Sequence, residues 1–397
     1  MITKKRNMHL KIAGINTNSL MVAIILCFSL INGAIGIDNV SYITIAFVWL
    51  LFLYGVIKRK IQFRTLSLLI PAYILIAFLF SFLVVSDTTY TTSYFMYFIG
   101  FGTISFLIGM QEFDIEKAEH YTEILGFICI IVFFVRGFDS YDPSLRMGIS
   151  YSMLPVLLIS TITILRKQFH IYSFINVALS IFFYVSIAPR GTWLTIGFFL
   201  ILYVFFILSK GKRQEANRIK QFIVLLIIFT VVFYVFNNLS QIMTLINTLY
   251  YSVTGNRIYA IDKYSFLLGQ GNIGNGREGL RTTALELIRR YPFTGRGIGF
   301  FETMEAGLYV HNIVLQTMVE AGIFFFIPFV IVMIKTILTL LNNRRMQNAI
   351  EYTFFIVITV NGLIILFYSS VYWQMLIFWF LIGYLLKWNN NQEAETI

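Results

Sequence analysis

The sequence predicts an all-α integral membrane protein with about twelve transmembrane helices. Of the 397 residues, 58% are hydrophobic, 17% aromatic and only 12% charged, which excludes a water-soluble core covered by a polar surface. Apolar runs of roughly 20 residues, the length that a helix needs to cross the hydrocarbon layer, recur from one end of the chain to the other. We expect residues 1–397 to form a single polytopic membrane domain.

Each apolar run predicts one span. The first run follows four basic residues, as in a signal peptide, but no small-residue cleavage pattern comes after it and the next run starts at once, so we expect it to be retained. The predicted spans are 18–37, 40–57, 66–85, 94–110, 122–135, 149–165, 171–188, 192–208, 221–236, 312–334, 349–368 and 372–386.

Lysine and arginine predict the orientation of the loops. With the amino terminus inside, the cytoplasmic segments hold twenty of the thirty Lys and Arg residues, as the positive-inside rule requires. This bias, together with attraction to anionic lipid headgroups, accounts for the net charge of +11 without a nucleic-acid partner. Cys27 and Cys129 fall within predicted spans, and two cysteines exclude both a disulfide framework and a Cys-based zinc site.

The longest predicted external segment, 237–310, joins spans nine and ten and is too long to be a simple turn. It contains REGLRTTALELIRR, which predicts an amphipathic helix near the outer membrane surface, ended by Pro292. Arg277 and Arg281 are four residues apart and therefore share one side of this helix. The apolar positions at helical spacing are Leu280, Ala284, Leu287 and Ile288.

Two further features of the external segments are interpreted without a ligand. The GRGIG stretch at 295–299 lacks the preceding strand and the spacing of a nucleotide-binding loop, which favours a tight external turn. Glu302 with Glu305, and Asp139 with Asp142, are interpreted as hydrated loop charges. We therefore expect neither a metal nor another cofactor at the outer face.

Arginine dominates the predicted external cations, since nine of the ten are Arg. Guanidinium binds phosphate oxygens through a planar fork and stays charged, which predicts a phosphate-bearing ligand outside. Arg190 lies in SIAPRGTWL between two apolar runs, a costly place unless an anion or a water-filled cavity compensates the charge. The alternative is an arginine that reaches lipid headgroups. Arg289 and Arg290 end a predicted helix, where cations suit the dipole, and are interpreted as structural.

His311 is the predicted external residue whose ordinary pKa is nearest neutrality. Nearby arginines would disfavour its protonated form and keep the imidazole available as a proton acceptor. An ordinary interfacial histidine is the alternative. Asn312, Gln316 and Glu320 follow at steps of four and predict one polar stripe along span ten, with the glutamate facing the interior.

Four stretches together resemble the O-antigen polymerase and O-antigen ligase superfamily of polytopic glycosyltransferases, and most closely its Wzy-type polysaccharide polymerases. They are HNIVLQTMVEAG from His311, GREGLRTTALELIRRYPFTGRGIGFF from Gly276, APRGTWL from Ala188 and RMGISYSMLPVLL from Arg146. One departure concerns Arg281, which stands where relatives often carry Trp.

The resemblance implies an enzyme of the bacterial cytoplasmic membrane that uses undecaprenyl-pyrophosphate-linked glycans at the outer leaflet, without a metal, cofactor or nucleotide sugar. Arg190 and Arg277 would bind the donor pyrophosphate, with Arg146 and Arg281 as weaker additions. His311 would contact or deprotonate the attacking sugar hydroxyl. Asn312, Gln316 and Glu320 would support it.

Polymerase and ligase differ in the acceptor, and we favour a polymerase, which extends another lipid-linked repeat unit. The alternative is a ligase, which transfers finished glycan to lipid A core sugars. A flippase or transporter is less favoured, because we find no internal repeat and the unusual residues concentrate at the external face rather than in broken helices near the midplane. The expected partners are the lipid-linked donor and acceptor, membrane lipids and a chain-length regulator protein, with no nucleic acid.

Overall fold

The computed structural model shows a bundle of α-helices, which confirms the predicted all-α membrane class. The structure describes residues 16–36, 40–58, 61, 65–136, 143–166, 168, 170–187, 190–209, 244, 245, 247, 248, 250–252, 255, 277–341 and 349–395. For Arg146 and Arg190 it describes the main chain but not the side chain.

Thirteen α-helices account for most of the described residues, and two short 3-10 segments, Ile364–Phe367 and Tyr372–Gln374, lie between the last two. The helices are α1 (Thr17–Ile35), α2 (Val40–Ile57), α3 (Thr65–Val84), α4 (Thr89–Gly109, with a π-helical turn at Phe98–Gly102), α5 (Ile115–Val135), α6 (Pro143–Leu165), α7 (Ile171–Ile187), α8 (Arg190–Ser209), α9 (Arg277–Arg290), α10 (Phe300–Met304), α11 (Ile313–Leu341), α12 (Ala349–Gly362) and α13 (Leu376–Glu395).

Seven helical segments of the described residues are long and apolar enough to cross a membrane, and four further apolar helices are shorter. Each predicted span except the ninth overlaps one of these helices. The ninth, 221–236, lies outside the described residues, as does 256–276 of the predicted external loop. The count of twelve and the extent of that loop therefore stay predictions.

The centre of the bundle is built where helices approach closely. Helix α1 is buried over most of its length and packs along α5 and α6. Helix α13 crosses the second half of α4 at Gly109 and Gly383, where an added Cβ at either position would lie 3.2 Å from the Cα of the other glycine. Small residues at a crossing allow two membrane helices to come this close.

Polar contacts between helix ends and connecting segments define the two ends of the bundle. At one end, Ser19 Oγ donates to the Asp114 carbonyl at 2.8 Å and Lys387 Nζ lies 3.0 Å from a carboxylate oxygen of Glu112. The segments 111–121 and the carboxy tail, both predicted to be cytoplasmic, thus meet there. The other end of α1 is about 28 Å away at 1.5 Å per residue, and there Arg136 donates to the Ile35 carbonyl.

Helix α11 overlaps the predicted tenth span, 312–334, and is broken within it. Ala321 and Gly322 leave the helical region, with Gly322 at φ 56° and ψ −146°. The turn that precedes α10 fills the break: the amides of Arg296 and Gly297 donate to the carbonyls of Val319 at 2.8 Å and of Glu320 at 2.7 Å. Because of these bonds, the interruption does not leave the two carbonyls unpaired inside the bundle.

The remaining contacts of this turn explain its position. The Ile323 amide donates to the Pro292 carbonyl at 3.1 Å, which closes the break from its other side. Ile298 donates its amide to Ser81 Oγ at 2.8 Å, and its carbonyl accepts from Thr91 Oγ1 at 2.6 Å. The GRGIG stretch is a turn, as predicted, but it is inserted between α3, α4 and α11 and is largely buried.

Candidate active site

His311 lies in the connection between α10 and α11, in the left-handed backbone region at φ 58°. Its ring contacts the ring of Tyr309, with centroids 3.8 Å apart. The next residue, Asn312, caps α11, since its Oδ1 accepts from the amides of Val314 at 3.0 Å and Leu315 at 3.2 Å. The cap fixes where the helix begins and so holds His311 just outside it.

The environment of His311 keeps its imidazole neutral. Burial of the ring, with the charges of Arg277 and Arg281 as further causes, lowers the pKa of His311 to about 4. The ring is therefore uncharged at neutral pH and has a nitrogen able to accept a proton. Its Nδ1 is buried and has no hydrogen-bond partner within the described part of the chain.

Helix α9 brings two arginines to this histidine. The predicted amphipathic helix is confirmed at Arg277–Arg290, with Leu280 and Ala284 buried against residues of α10, α11 and the connection between them. Arg277, at its first position, donates from Nη1 to the Tyr368 carbonyl at 2.8 Å. Arg281 follows one turn later and is exposed. The packed apolar face of α9 thus places both arginines near enough to His311 for their charges to act on its ring.

The main chain of Arg190 lies close to the same cluster, and Arg146 belongs to the helix that packs beside it. Gly191, next to Arg190 at the start of α8, packs so tightly that an added Cβ would meet Tyr151 and Tyr368. Arg146 stands one helical turn before Ser150, whose hydroxyl lies 3.3 Å from Thr192 Oγ1 of α8. The starts of α6 and α8 therefore lie together, although the side chains of both arginines are outside the described residues.

The segment between α12 and α13 connects these parts, and it was not among the residues predicted for the site. In addition to the bond from Arg277, the Phe367 carbonyl accepts from Asn312 Nδ2 at 3.3 Å, and the Ser370 amide donates to Tyr309 Oη at 3.0 Å. Ser369 lies beside both Tyr151 and Tyr309. The signal was the polar and aromatic run YSSVYWQ between two apolar spans, starting at Tyr368.

Below His311, the polar stripe of α11 forms a buried network. Gln316 Nε2 donates to Glu320 Oε1 at 2.6 Å and to Glu302 Oε1 at 2.8 Å. Glu302 is 1% exposed, so the interpretation of this residue as a hydrated loop charge was wrong. It lies on the inner side of the short helix α10, next to Tyr94, which donates to it at 3.0 Å. Burial raises the pKa of Glu302.

The geometry defines what this end of the bundle can do. Two arginines one turn apart on the same helix suit a ligand with several anionic oxygens. A neutral imidazole beside them can accept a proton from a hydroxyl group that arrives next to that ligand. His311, Arg277 and Arg281 meet here from separate parts of the fold.

Comparison with known families found one match. Residues 174–330 match a family model described as O-antigen ligase, and this confirms the resemblance to the O-antigen ligase and polymerase superfamily. The matched region starts in α7, ends in α11, and includes α9 and His311. No curated protein and no solved structure matches the chain. The family match and the apolar helices indicate a multi-pass membrane protein with a function of the O-antigen ligase and polymerase type.

Proposed function

We propose that this chain, whose residues 174–330 match the O-antigen ligase family, is a glycosyltransferase that joins glycan repeat units carried on undecaprenyl pyrophosphate. Donor and acceptor are both lipid-linked, and the reaction takes place at the outer leaflet of the bacterial cytoplasmic membrane. The observation that carries the proposal is the neutral imidazole of His311 held beside Arg277 and Arg281 at one end of a bundle of membrane helices.

The proposed reaction is a displacement at the anomeric carbon of the donor sugar. A hydroxyl oxygen of the acceptor sugar forms a bond to that carbon while the bond to the phosphate oxygen breaks. The hydroxyl proton passes to the imidazole of His311, and the lipid pyrophosphate leaves with the electron pair. Arg277 and Arg281 stabilise the negative charge that develops on the leaving group. Pyrophosphate is already a good leaving group, so the base contributes a modest factor, about 10² to 10⁴.

Arg190 and Arg146 complete the proposed diphosphate site. Their main chain lies at the starts of α8 and α6, which meet beside Tyr368, the residue whose carbonyl binds Arg277. We assign Arg190 the same role as Arg277 and give Arg146 an accessory role. Asn312 supports the site as the cap of α11.

Arginine variants test the diphosphate site. In the purified protein, assayed with lipid-linked repeat units, Arg277→Ala and Arg190→Ala should abolish the ladder of longer products. Arg277→Lys should restore it only in part, because an ammonium lacks the planar fork. Arg289→Ala, an exposed arginine at the far end of α9, is the matched control and should keep the ladder. Ladders of normal length from both alanine variants would exclude the proposed role.

A separate variant tests the base. His311→Ala should lower the turnover number, by about 10² to 10⁴-fold for a general base, while the lipid-linked donor still binds. Binding is measured with a labelled donor in the absence of acceptor. Loss of donor binding in this variant would make His311 a binding residue instead.

A ligase is the second candidate, because the description of the matched family model names this activity. We favour the polymerase, since nothing in the predicted external loop is specific to a ligase. Cells that lack the protein distinguish the two activities. Surface glycan of one repeat unit indicates a missing polymerase, whereas full-length chains that stay on the lipid carrier indicate a missing ligase.

A further inference from the structure

The connection that carries His311 is tied to a buried polar network through one main-chain bond. The amide of Val310, the residue before His311, donates to Gln316 Oε1 at 3.2 Å. Val310 is fully buried and Gln316 is 3% exposed, so water does not compete for this bond. On the other side of His311, the cap by Asn312 is the next anchor.

The orientation of the Gln316 carboxamide is fixed by its second group. Its NH2 donates to Glu302 and to Glu320, which are carboxylate acceptors on both sides of it. A flipped amide would direct its oxygen at both carboxylates and its NH2 at another donor, the Val310 amide. Because the Val310 amide would lose its acceptor in a buried place, the flipped state is disfavoured. In the structure the oxygen faces Val310.

Glu302 and Glu320 also accept hydrogen bonds from residues other than Gln316. Tyr94 of α4 donates to Glu302 Oε1 at 3.0 Å. Trp373 Nε1, from the segment between α12 and α13, donates to Glu320 Oε2 at 3.0 Å, and Tyr372 donates to the same oxygen. Each of these residues is at most 4% exposed. The network thus connects α4, α10, α11 and the 3-10 segment to the backbone beside His311.

We propose that Gln316, oriented by Glu302 and Glu320, is a positioning residue that holds the imidazole of His311 in place for the reaction. This inference rests on the proposed function, in which His311 contacts the acceptor hydroxyl. Gln316 touches neither substrate in this scheme and acts only through Val310. Its side chain sets where the left-handed residue His311 stands between Arg277, Arg281 and the ring of Tyr309.

The first test reads the position of His311 without any reaction. The protein has four histidines, so the His311 signal in the spectrum of histidine-labelled protein is assigned by its loss in His311→Ala. In Gln316→Met the connection should loosen and expose the ring, and the titration midpoint of His311 should move from about 4 toward the ordinary histidine value. Thr317→Val is the matched control, because Thr317 is equally buried on α11 but bonds only to carbonyls of its own helix. An unchanged midpoint in Gln316→Met would overturn the proposal.

The second test measures the kinetics of the reaction. A displaced base should lower kcat by about 10- to 100-fold in Gln316→Met with little change in the KM of the lipid-linked donor, whereas a purely structural role would lower only the yield of folded protein. Glu302→Leu and Glu302→Gln test the same positioning role of Gln316 without changing a residue of α11. The Gln side chain keeps an acceptor oxygen for Gln316, so Glu302→Gln should keep most of the rate that Glu302→Leu loses. Equal kcat in these two variants would also contradict the proposal.

The two tests separate this inference from the function on which it rests. If His311→Ala keeps full activity, His311 is not the base, yet the titration still shows whether Gln316 holds the ring. If His311→Ala is inactive while Gln316→Met leaves both the titration and kcat unchanged, the function stands and the positioning role fails.

Discussion

At the candidate site, the backbone conformation of His311 costs free energy, and the charges around its ring lower its pKa. A residue other than glycine in the left-handed region costs about 1 to 3 kcal/mol, and it persists only where its surroundings hold it. His311 is held by the cap at Asn312 and by the bond from Val310 to Gln316. Two arginines one turn apart on α9 add positive potential that opposes protonation of the ring.

The first prediction concerns the dependence of the rate on pH. Because the pKa of His311 is lowered to about 4, the base is protonated and lost only as the pH falls through that value. Arg281→Ala removes one positive charge beside the ring, so the pKa of His311 should rise and the acidic limb of kcat/KM should move to higher pH. The measurement is kcat/KM from below the pKa of His311, about 4, up to neutral pH.

The control for this prediction is Arg289→Ala, which removes the same charge from the exposed end of α9, two turns from Arg281. It should leave the acidic limb where it is. A limb that stays in place in Arg281→Ala as well would show that the arginine charge does not act on the group that limits the rate.

Residue types predicted part of this site and tertiary contacts decided the rest. Arg277 and His311 were named from sequence through the excess of external arginines, the ordinary pKa of histidine and the resemblance to the superfamily, and the structure places them near each other. Tyr309 and Ser370 were missed, because their importance comes from a hydrogen bond between positions 61 residues apart, which no local pattern reveals. Glu302 was misread for the same reason, since its partners lie in α4 and α11.

Among the helices, α11 shows most clearly a feature that the sequence pattern does not predict. An apolar run of this length predicts a continuous span, and glycine is common in membrane helices, so Gly322 gave no warning of a break. The break depends on the turn at 292–297, whose main chain bonds to both halves of the helix. In contrast, α9 was predicted correctly, because its apolar period and its proline stop are local signals.

The second prediction tests this break. Gly322 has positive φ, and an added Cβ would lie 2.5 Å from main-chain atoms of Phe293. Gly322→Ala should therefore destabilise the folded protein by about 2 kcal/mol or more, because both the backbone strain and the clash oppose folding. The measurement is the thermal midpoint of the detergent-solubilised protein.

Gly197→Ala in α8 is the matched control, since an added Cβ there meets nothing within 4 Å. Alanine in a helix interior is better than glycine by about 0.5 to 1 kcal/mol, so the midpoint should stay or rise slightly. Equal midpoints in the two alanine variants would mean that α11 can close its break without the glycine.

At the scale of the whole molecule, the loops sort to two ends, as the alternation of helices along the chain requires. The segments predicted to be cytoplasmic meet at one end through Ser19, Glu112 and Lys387. The candidate site lies at the other end, where Arg277 of α9 and Asn312, the residue after His311, donate to the carbonyls of Tyr368 and Phe367 between α12 and α13. Which end faces outward rests on the distribution of Lys and Arg.

The third prediction concerns this orientation. Cys27 and Cys129 are buried, at 0% and 8% exposure, so a newly introduced cysteine can be labelled over a low background. A membrane-impermeant maleimide should label Glu286→Cys, exposed on α9, in intact cells. It should label Lys117→Cys, exposed at the opposite end, only after permeabilisation. The reverse pattern would place the candidate site in the cytosol and exclude the proposed donor.

The insertion of residues 295–297 into the break of α11 has a consequence for biosynthesis. The ribosome makes this turn before it makes α11, so the donors for Val319 and Glu320 already exist when that helix enters the lipid. Only about twenty residues separate the partners, a loop that closes within about a microsecond. The hairpin from Pro292 to Ile323 is therefore a unit that can assemble during translation, ahead of the last two helices.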